Sequence, residues 1–205
     1  MNPTPLNLIL WIAFAFLCGS LPLSVWVGRL ITKKDVRQVG DHNPGAINAL
    51  KAGGWPVGIT ALMLDISKGA FPVGMAYYVW GWRGWEIVPV ALAPLFGSAF
   101  SPFLKFKGGK SLAVTLGITI GLTIWRLPLV ILSTLTVAFL IQTISGWAVV
   151  AAMLAVSAYL FFSGATPYFW ILFGIIFVLL IWKHRDDLRQ PPRLRSWLRP
   201  RNKPE

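Results

Sequence analysis

The sequence predicts an all-α integral membrane protein, with about seven transmembrane helices in one bundle, the N-terminus outside and the C-terminus cytoplasmic. Three observations predict it. Of 205 residues, 56% are hydrophobic and only 13% are charged, against about 25% charged in soluble domains. The uncharged sequence divides into seven apolar runs. The basic residues gather at alternate junctions between those runs, which is how short cytoplasmic loops mark themselves.

The first run covers 6–28 and has neither a basic leader before it nor a small-x-small cleavage site after it, so it reads as a retained helix and not a signal peptide. The others centre on 56–80, 87–104, 111–125, 127–142, 147–162 and 168–182. Several lie near the short end of the roughly 17–25 residues that cross a hydrocarbon core. Ser145-Gly146 and Ser163-Gly164 with Pro167 divide the uncharged stretch after Arg126 into three crossings. Three crossings, unlike two, bring the basic tail to the same side as the other basic junctions.

Counting charges fixes the orientation. With the N-terminus outside, the inward segments hold 16 of the 19 Lys and Arg residues: Arg29, Lys33, Lys34, Arg37 and Lys51, then Lys105, Lys107 and Lys110, then the tail from Lys183 to Lys203. Arg83 and Arg126 face out, and Lys68 lies within the second span. A net charge of +12 invites nucleic acid as a partner. These charges instead track one face of the bilayer, so the expected partner is the lipid bilayer and not nucleic acid. The single cysteine, Cys18, allows neither an internal disulfide nor a Cys-based metal site, and no metal or cofactor is expected. The domain reading is a seven-helix membrane domain over 1–183, with cytoplasmic loops 29–55 and 105–110. A basic Pro/Arg-rich cytoplasmic tail over 184–205 follows it and is expected to lie on the anionic inner leaflet.

Polar residues that loop position does not explain are candidates for function. Asp65 and Lys68 stand at i and i+3 on the second span and can neutralise each other; they read as a structural ion pair before a substrate contact. The loop KKDVRQVGDHNPGAINALKAGG, 33–54, is dense in turn formers, with Asn43 and Asn48 as neutral donors and acceptors. In LKFKGGKSLAV, 104–114, Gly108 and Gly109 precede Lys110 at the start of a helix. Converging backbone N–H groups, a helix N-terminus and one ammonium suit a phosphate, although the P-loop spacing is absent. The junction LIWKHRDDLRQ, 179–189, places His184 directly after the last span. On the seven-span topology all three segments face inward and form one basic pocket for an anionic, phosphorylated substrate beside an apolar interior.

Together these segments resemble the acyl-phosphate-dependent glycerol-3-phosphate acyltransferases of bacteria, the PlsY family. The likeness runs from GSLP (19–22) through DVRQVGDHNPGAINALK, against a family pattern like DIRKVGSGNPGATNVLR, and LDISKGAFPV. It continues in GSAFSPFLKFKGGKSLAV, against GHxFPVFLKFKGGKGVAT, and ends in HRDDLR, against HRENIKR. The chain departs from the pattern at Asp41 for Ser, His42 for Gly, Ile47 for Thr, Lys51 for Arg, Ser98 for His, Ser111 for Gly and Asp187 for Asn.

The resemblance implies transfer of an acyl chain from acyl phosphate to the 1-hydroxyl of glycerol 3-phosphate, in the bacterial cytoplasmic (inner) membrane. Lysophosphatidate and phosphate are the implied products. It implies catalytic roles for Lys110, His184 and Asn43, and substrate contacts at Asp41, Asn48, Lys51, Ser98, Gly108, Gly109 and Asp187. Lys110 and the Gly108-Gly109 amides would hold the donor phosphate, Lys51 and His184 the acceptor phosphate, with Asn43 and Asn48 bracing the loop. A monomer is compatible with the sequence. The alternative is a catalytically altered or inactive paralogue that binds lipid or a partner and regulates acyl flux.

Overall fold

The computed structural model describes residues 3–198, which are helical with short turns and no strand. The first apolar run becomes two helices, α1 (Pro5–Ser20) and α2 (Leu23–Thr32), and not the single helix expected over 6–28. Thr4 caps α1 by accepting the Asn7 amide, and Pro5 supplies a preset first turn. Pro22 breaks the run: it has no N–H and holds Leu21 extended, at φ −60° and ψ 124°.

The second span is α3 (Ala46–Gly74), continued by a π turn over Met75–Val79. It too is interrupted, because Gly54 stands at φ 74° and ψ −172°, a conformation closed to side-chain-bearing residues, with Pro56 two positions on. Residues 46–53 are therefore a short helix of their own. The segment 29–55, expected as a loop, carries helix at both ends: α2 runs to Thr32 and α3 starts at Ala46.

The remaining helices are α4 (Ile87–Ala99), α5 (Leu112–Thr123), α6 (Arg126–Ile141), α7 (Ser145–Phe162), α8 (Pro167–Lys183) and the one-turn α9 (Arg185–Leu188). By length and apolar character four stretches suffice to cross a membrane: Pro5–Thr32 taken through its break, Ala46–Val79, Ile87–Leu104 and Ser145–Phe162. Helices α5, α6 and α8 are apolar but shorter. At 1.5 Å per residue, α5 is about 18 Å long.

Helix α3 lies along α5 and α1 along α4. With lipid outside there is little hydrophobic drive between helices, so close backbone approach carries the packing. A Cβ on Gly117 would land on the Ile66 carbonyl, and one on Gly97 on the Phe16 carbonyl. The core joins Leu95, Ile118, Leu122, Ile131, Ile176 and Leu180. Large apolar side chains also cover the outer surface, with Leu10 59%, Val178 69% and Phe162 85% exposed. Helices hydrophobic on every face, in a chain this size, belong in a bilayer.

Asp65 and Lys68 are both buried and meet at 2.9 Å. Lys68 Nζ also donates to the Leu21 carbonyl at 3.0 Å. The pair ties the α1–α2 break to α3, as a structural ion pair does. The part of the tail from Gln190 to Leu198 folds back on the α6–α7 turn: Thr143 N donates to Arg193 O and Arg195 N to Ile141 O, both at 3.0 Å. The last residues of the basic tail lie outside the described residues.

Candidate active site

The site forms where the loop before α3, the segment before α5 and the turn after α8 meet at one end of the bundle. Asp35 shapes the first. Its carboxylate accepts the Arg37 amide at 3.0 Å and pairs with Arg37 at 2.7 Å and Arg29 at 2.5 Å. The Arg37 hydrogen bond holds its pKa far below the usual carboxylate range. The turn that follows presents Asp41, Asn43 and Asn48. Asn48, almost fully buried, donates through Nδ2 to Asp41 Oδ1 and to the Asn43 carbonyl, each at 2.9 Å.

The second segment is held by backbone contact. Gly109 N donates to Ser98 O at 3.2 Å, and Lys183 Nζ donates to Ala99 O at 2.8 Å and Gly108 O at 3.1 Å. A Cβ on Gly108 would fall on the Ser98 carbonyl, and one on Gly109 would lie 2.8 Å from Pro44 O. Both glycines are therefore fixed by packing of the loop, whatever anion they meet. Gly108→Ala is expected to destabilise the protein by about 1–3 kcal/mol; a melting temperature equal to wild type would refute it. Ser98 contributes its backbone here, and its side chain is buried.

Lys110 joins all three segments. Its Nζ lies 3.0 Å from Asp41 Oδ2 and 2.9 Å from Asp187 Oδ2, and Asp187 Oδ2 also accepts from Ser145 Oγ at 2.6 Å. Burial alone would lower the Lys110 pKa, but the bonds from Asp187 and Asp41 reverse this and raise it. Burial works against ionising Asp187 and Asp41; Ser145 and Lys110 for the first, Lys110 and Asn48 for the second, hold them below the usual carboxylate value. All three are ionised at neutral pH.

His184 is 2% exposed, and its Nδ1 lies 2.9 Å from the Leu180 carbonyl. A carbonyl only accepts, so Nδ1 carries the proton and Nε2 keeps the lone pair. Burial, helped by Lys110, lowers its pKa from 6.5. Below that value the unfolded chain binds a proton that the folded chain refuses, so His184 subtracts stability as pH falls. The melting temperature is expected to drop between pH 7.5 and 5.5 in the wild type and less in His184→Gln; equal slopes would refute this.

Lys51 is exposed, with Nζ 2.8 Å from where a Cβ on Gly40 would stand. The structure thus brings Asp41, Asn43, Asn48, Gly108, Gly109, Lys110 and Asp187 together, with Ser98 behind, Lys51 at the margin and His184 buried beside them. His42 turns away from Asp41, its Nδ1 on the Arg37 carbonyl at 2.9 Å. Sequence reasoning missed Asp35, Ser145 and Lys183 as organisers. It also missed that Ser111 sits at φ 62° with a buried hydroxyl lacking a partner. The resemblance carried a signal for Ser111, since the family pattern has glycine there.

An integral membrane protein with this cluster of one ammonium, two glycine-bounded loops and a buried histidine at one end of its bundle has the layout of a membrane-embedded transferase for small anionic substrates. The chain belongs to the glycerol-3-phosphate acyltransferase family, whose model matches residues 9–191. Curated relatives of that description include the protein of Thermotoga maritima, 36% identical over 196 residues covering 87% of this chain and 95% of its own. That of Maridesulfovibrio salexigens is 31% identical over 192 residues, 89% and 92% of the two chains. The fold is similar to crystal structures of PlsY (YgiH), an integral membrane glycerol 3-phosphate acyltransferase. The glycerol 3-phosphate form superposes with a TM-score of 0.79 at 28% identity, and the lysophosphatidic acid form with 0.81 at 26%; each covers 89% of this chain and 90% of that one. The chain is accordingly an acyltransferase, and the inactive-paralogue alternative loses its ground.

Proposed function

We propose that the protein transfers an acyl chain from acyl phosphate to the 1-hydroxyl of glycerol 3-phosphate at the inner face of the bacterial cytoplasmic membrane. The observation that carries this is the Lys110 cluster joining three segments, flanked by two buried polar atoms without partners, Ser111 Oγ next to Lys110 in the chain and Asn48 Oδ1 near Gly40 and Lys51. Among the described residues only three buried side-chain atoms lack a hydrogen bond: Asn48 Oδ1, Ser111 Oγ and Asp65 Oδ1, the last of which is ion-paired to Lys68. Two of the three therefore stand at the site, where a ligand can satisfy them.

The acceptor hydroxyl attacks the acyl carbonyl carbon, the carbon–oxygen bond to phosphate breaks, and the departing phosphate carries off the hydroxyl proton. No protein base is needed; the residues orient and stabilise charge. Lys110, Ser111 Oγ and the amides after Gly109 take the donor phosphate; the Gly109 amide, expected there from the resemblance, is instead spent on the Ser98 carbonyl. Lys51 takes the acceptor phosphate; His184, neutral with its one N–H spent on the Leu180 carbonyl, has no donor left for it, against the role implied by the resemblance. Asn43 and Asn48 hold the loop.

Palmitoyl phosphate and glycerol 3-phosphate given to purified protein should yield lysophosphatidate by mass spectrometry. Absence of product, with palmitoyl phosphate bound, would reject the reading. Seven crossings with the N-terminus outside accompany it, supported by the 16 to 2 division of basic residues. In a Cys18→Ser background, Trp85→Cys should react with a membrane-impermeant maleimide in spheroplasts and Lys107→Cys should not. The reverse pattern would invert the topology.

A further inference from the structure

Two carboxylates enclose one ammonium at the centre of the site. Lys110 Nζ is within 3.0 Å of Asp41 Oδ2 and 2.9 Å of Asp187 Oδ2. Each carboxylate is anchored in turn. Ser145 Oγ donates to Asp187 Oδ2, while Asn48 Nδ2 (2.9 Å) and the Asn43 amide (3.3 Å) donate to Asp41 Oδ1. Lys183 is engaged by the Ala99 and Gly108 carbonyls, and Lys51 stands beside Gly40. His184 is neutral with its Nδ1 on Leu180. A phosphate that reaches Lys110 therefore meets two fixed like charges and must displace at least one of them.

We propose that Asp41 and Asp187 are specificity-determining residues that exclude free inorganic phosphate from Lys110 and admit only a phosphate carried by a larger substrate. A tethered phosphate arrives with other contacts, an acyl chain among apolar helices or a glycerol hydroxyl, and these offset the repulsion. Inorganic phosphate has only its charge to offer. The inference rests on the acyl-phosphate reading, because inorganic phosphate is what that reaction releases. A bare lysine and glycine site would keep this product and be inhibited by it; the carboxylates return to Lys110 and expel it. The repulsion lowers the affinity for every phosphate alike, so that only a substrate with further contacts still occupies the site.

The test is direct calorimetric binding of inorganic phosphate to the full chain in detergent, without any acyl donor. Wild type, Asp41→Asn, Asp187→Asn and the double variant are compared, Asn being chosen because it preserves shape and most hydrogen bonds. Each substitution should tighten phosphate binding about tenfold, one carboxylate's repulsion discounted for partial exposure. Phosphate should then inhibit acyl transfer by the variants at concentrations the wild type tolerates.

Unchanged or weaker phosphate binding in a folded double variant would overturn the proposal. Should the double variant unfold, Asp41→Asn alone decides, since that side chain is 52% exposed and its replacement leaves Asp187 on Lys110. Tightened binding without turnover in the wild type would sink the assigned reaction and keep the exclusion. Turnover with unchanged binding would do the opposite.

Discussion

Replacing Lys110 by alanine is expected to lower lysophosphatidate formation by at least about a hundredfold to a thousandfold, the range seen when one preorganised charge-stabilising group is removed from an acyl-transfer site. The argument is geometric before it is electrostatic. Lys110 is the residue at which three segments converge, from the loop before α3 through Asp41 to the turn after α8 through Asp187. On the proposed reaction its removal deletes the ammonium assigned to the donor phosphate, and it leaves two ionised carboxylates facing the same space. That second effect makes alanine worse than a neutral gap. Lys110→Ala combined with Asp41→Asn and Asp187→Asn should therefore recover phosphate binding relative to Lys110→Ala alone, though not turnover. Lysophosphatidate is measured by mass spectrometry beside a melting curve for each variant. Activity of Lys110→Ala within a few-fold of wild type, in folded protein, would remove Lys110 from the mechanism.

The site was legible in the sequence as parts, and less so as an assembly. Turn-forming residues from Gly40 to Gly45, the Gly108-Gly109-Lys110 run and His184 after the last apolar run all announced themselves, because each violates the expected composition of its neighbourhood. What the sequence withheld was who touches Lys110. Asp187 lies 77 positions away in the chain, and its approach depends on the packing of α7, α8 and α9, which no local pattern encodes. Asp41 stood out only as a departure from the family pattern; in the structure it is a partner of Lys110.

The fold divides in the same way. Apolar runs foretold the helices because a bilayer demands them over long windows. Their interruptions at Pro22 and Gly54 were obscured by the same hydrophobicity. Pro22 was visible as a residue, but whether a proline bends, breaks or merely starts a helix depends on what satisfies the freed carbonyl. Here the carbonyl freed at Cys18 takes the Leu21 amide, the break leaves the Leu21 carbonyl without a helical donor, and the answer to that is Lys68, 47 residues beyond Leu21. Gly54 stood in a stretch rich in glycine; its positive φ sets it apart from Gly53 and Gly58, which are glycine because Thr32 and Leu50 leave no room for a Cβ.

That answer makes Lys68 the second residue whose loss should be large, and here the readout is stability. Lys68 is 9% and Asp65 5% exposed, so Lys68→Ala leaves Asp65 uncompensated in a low-dielectric interior and the Leu21 carbonyl without its donor. Removing one partner of a buried pair costs about 3–5 kcal/mol, whereas replacing both by apolar residues of similar size is often neutral. Lys68→Ala should thus unfold well below wild type in detergent, while Asp65→Leu with Lys68→Met should recover most of the loss. The recovery should be incomplete, because the Leu21 carbonyl stays unsatisfied at the helix break, a cost of about 1–3 kcal/mol. These numbers separate a scaffold role from a role in chemistry. If Asp65 and Lys68 only hold α3 to the break between α1 and α2, the double variant keeps its acyltransferase activity to the extent that it keeps its fold. A double variant that melts near wild type yet makes no lysophosphatidate would instead place the pair in the substrate path.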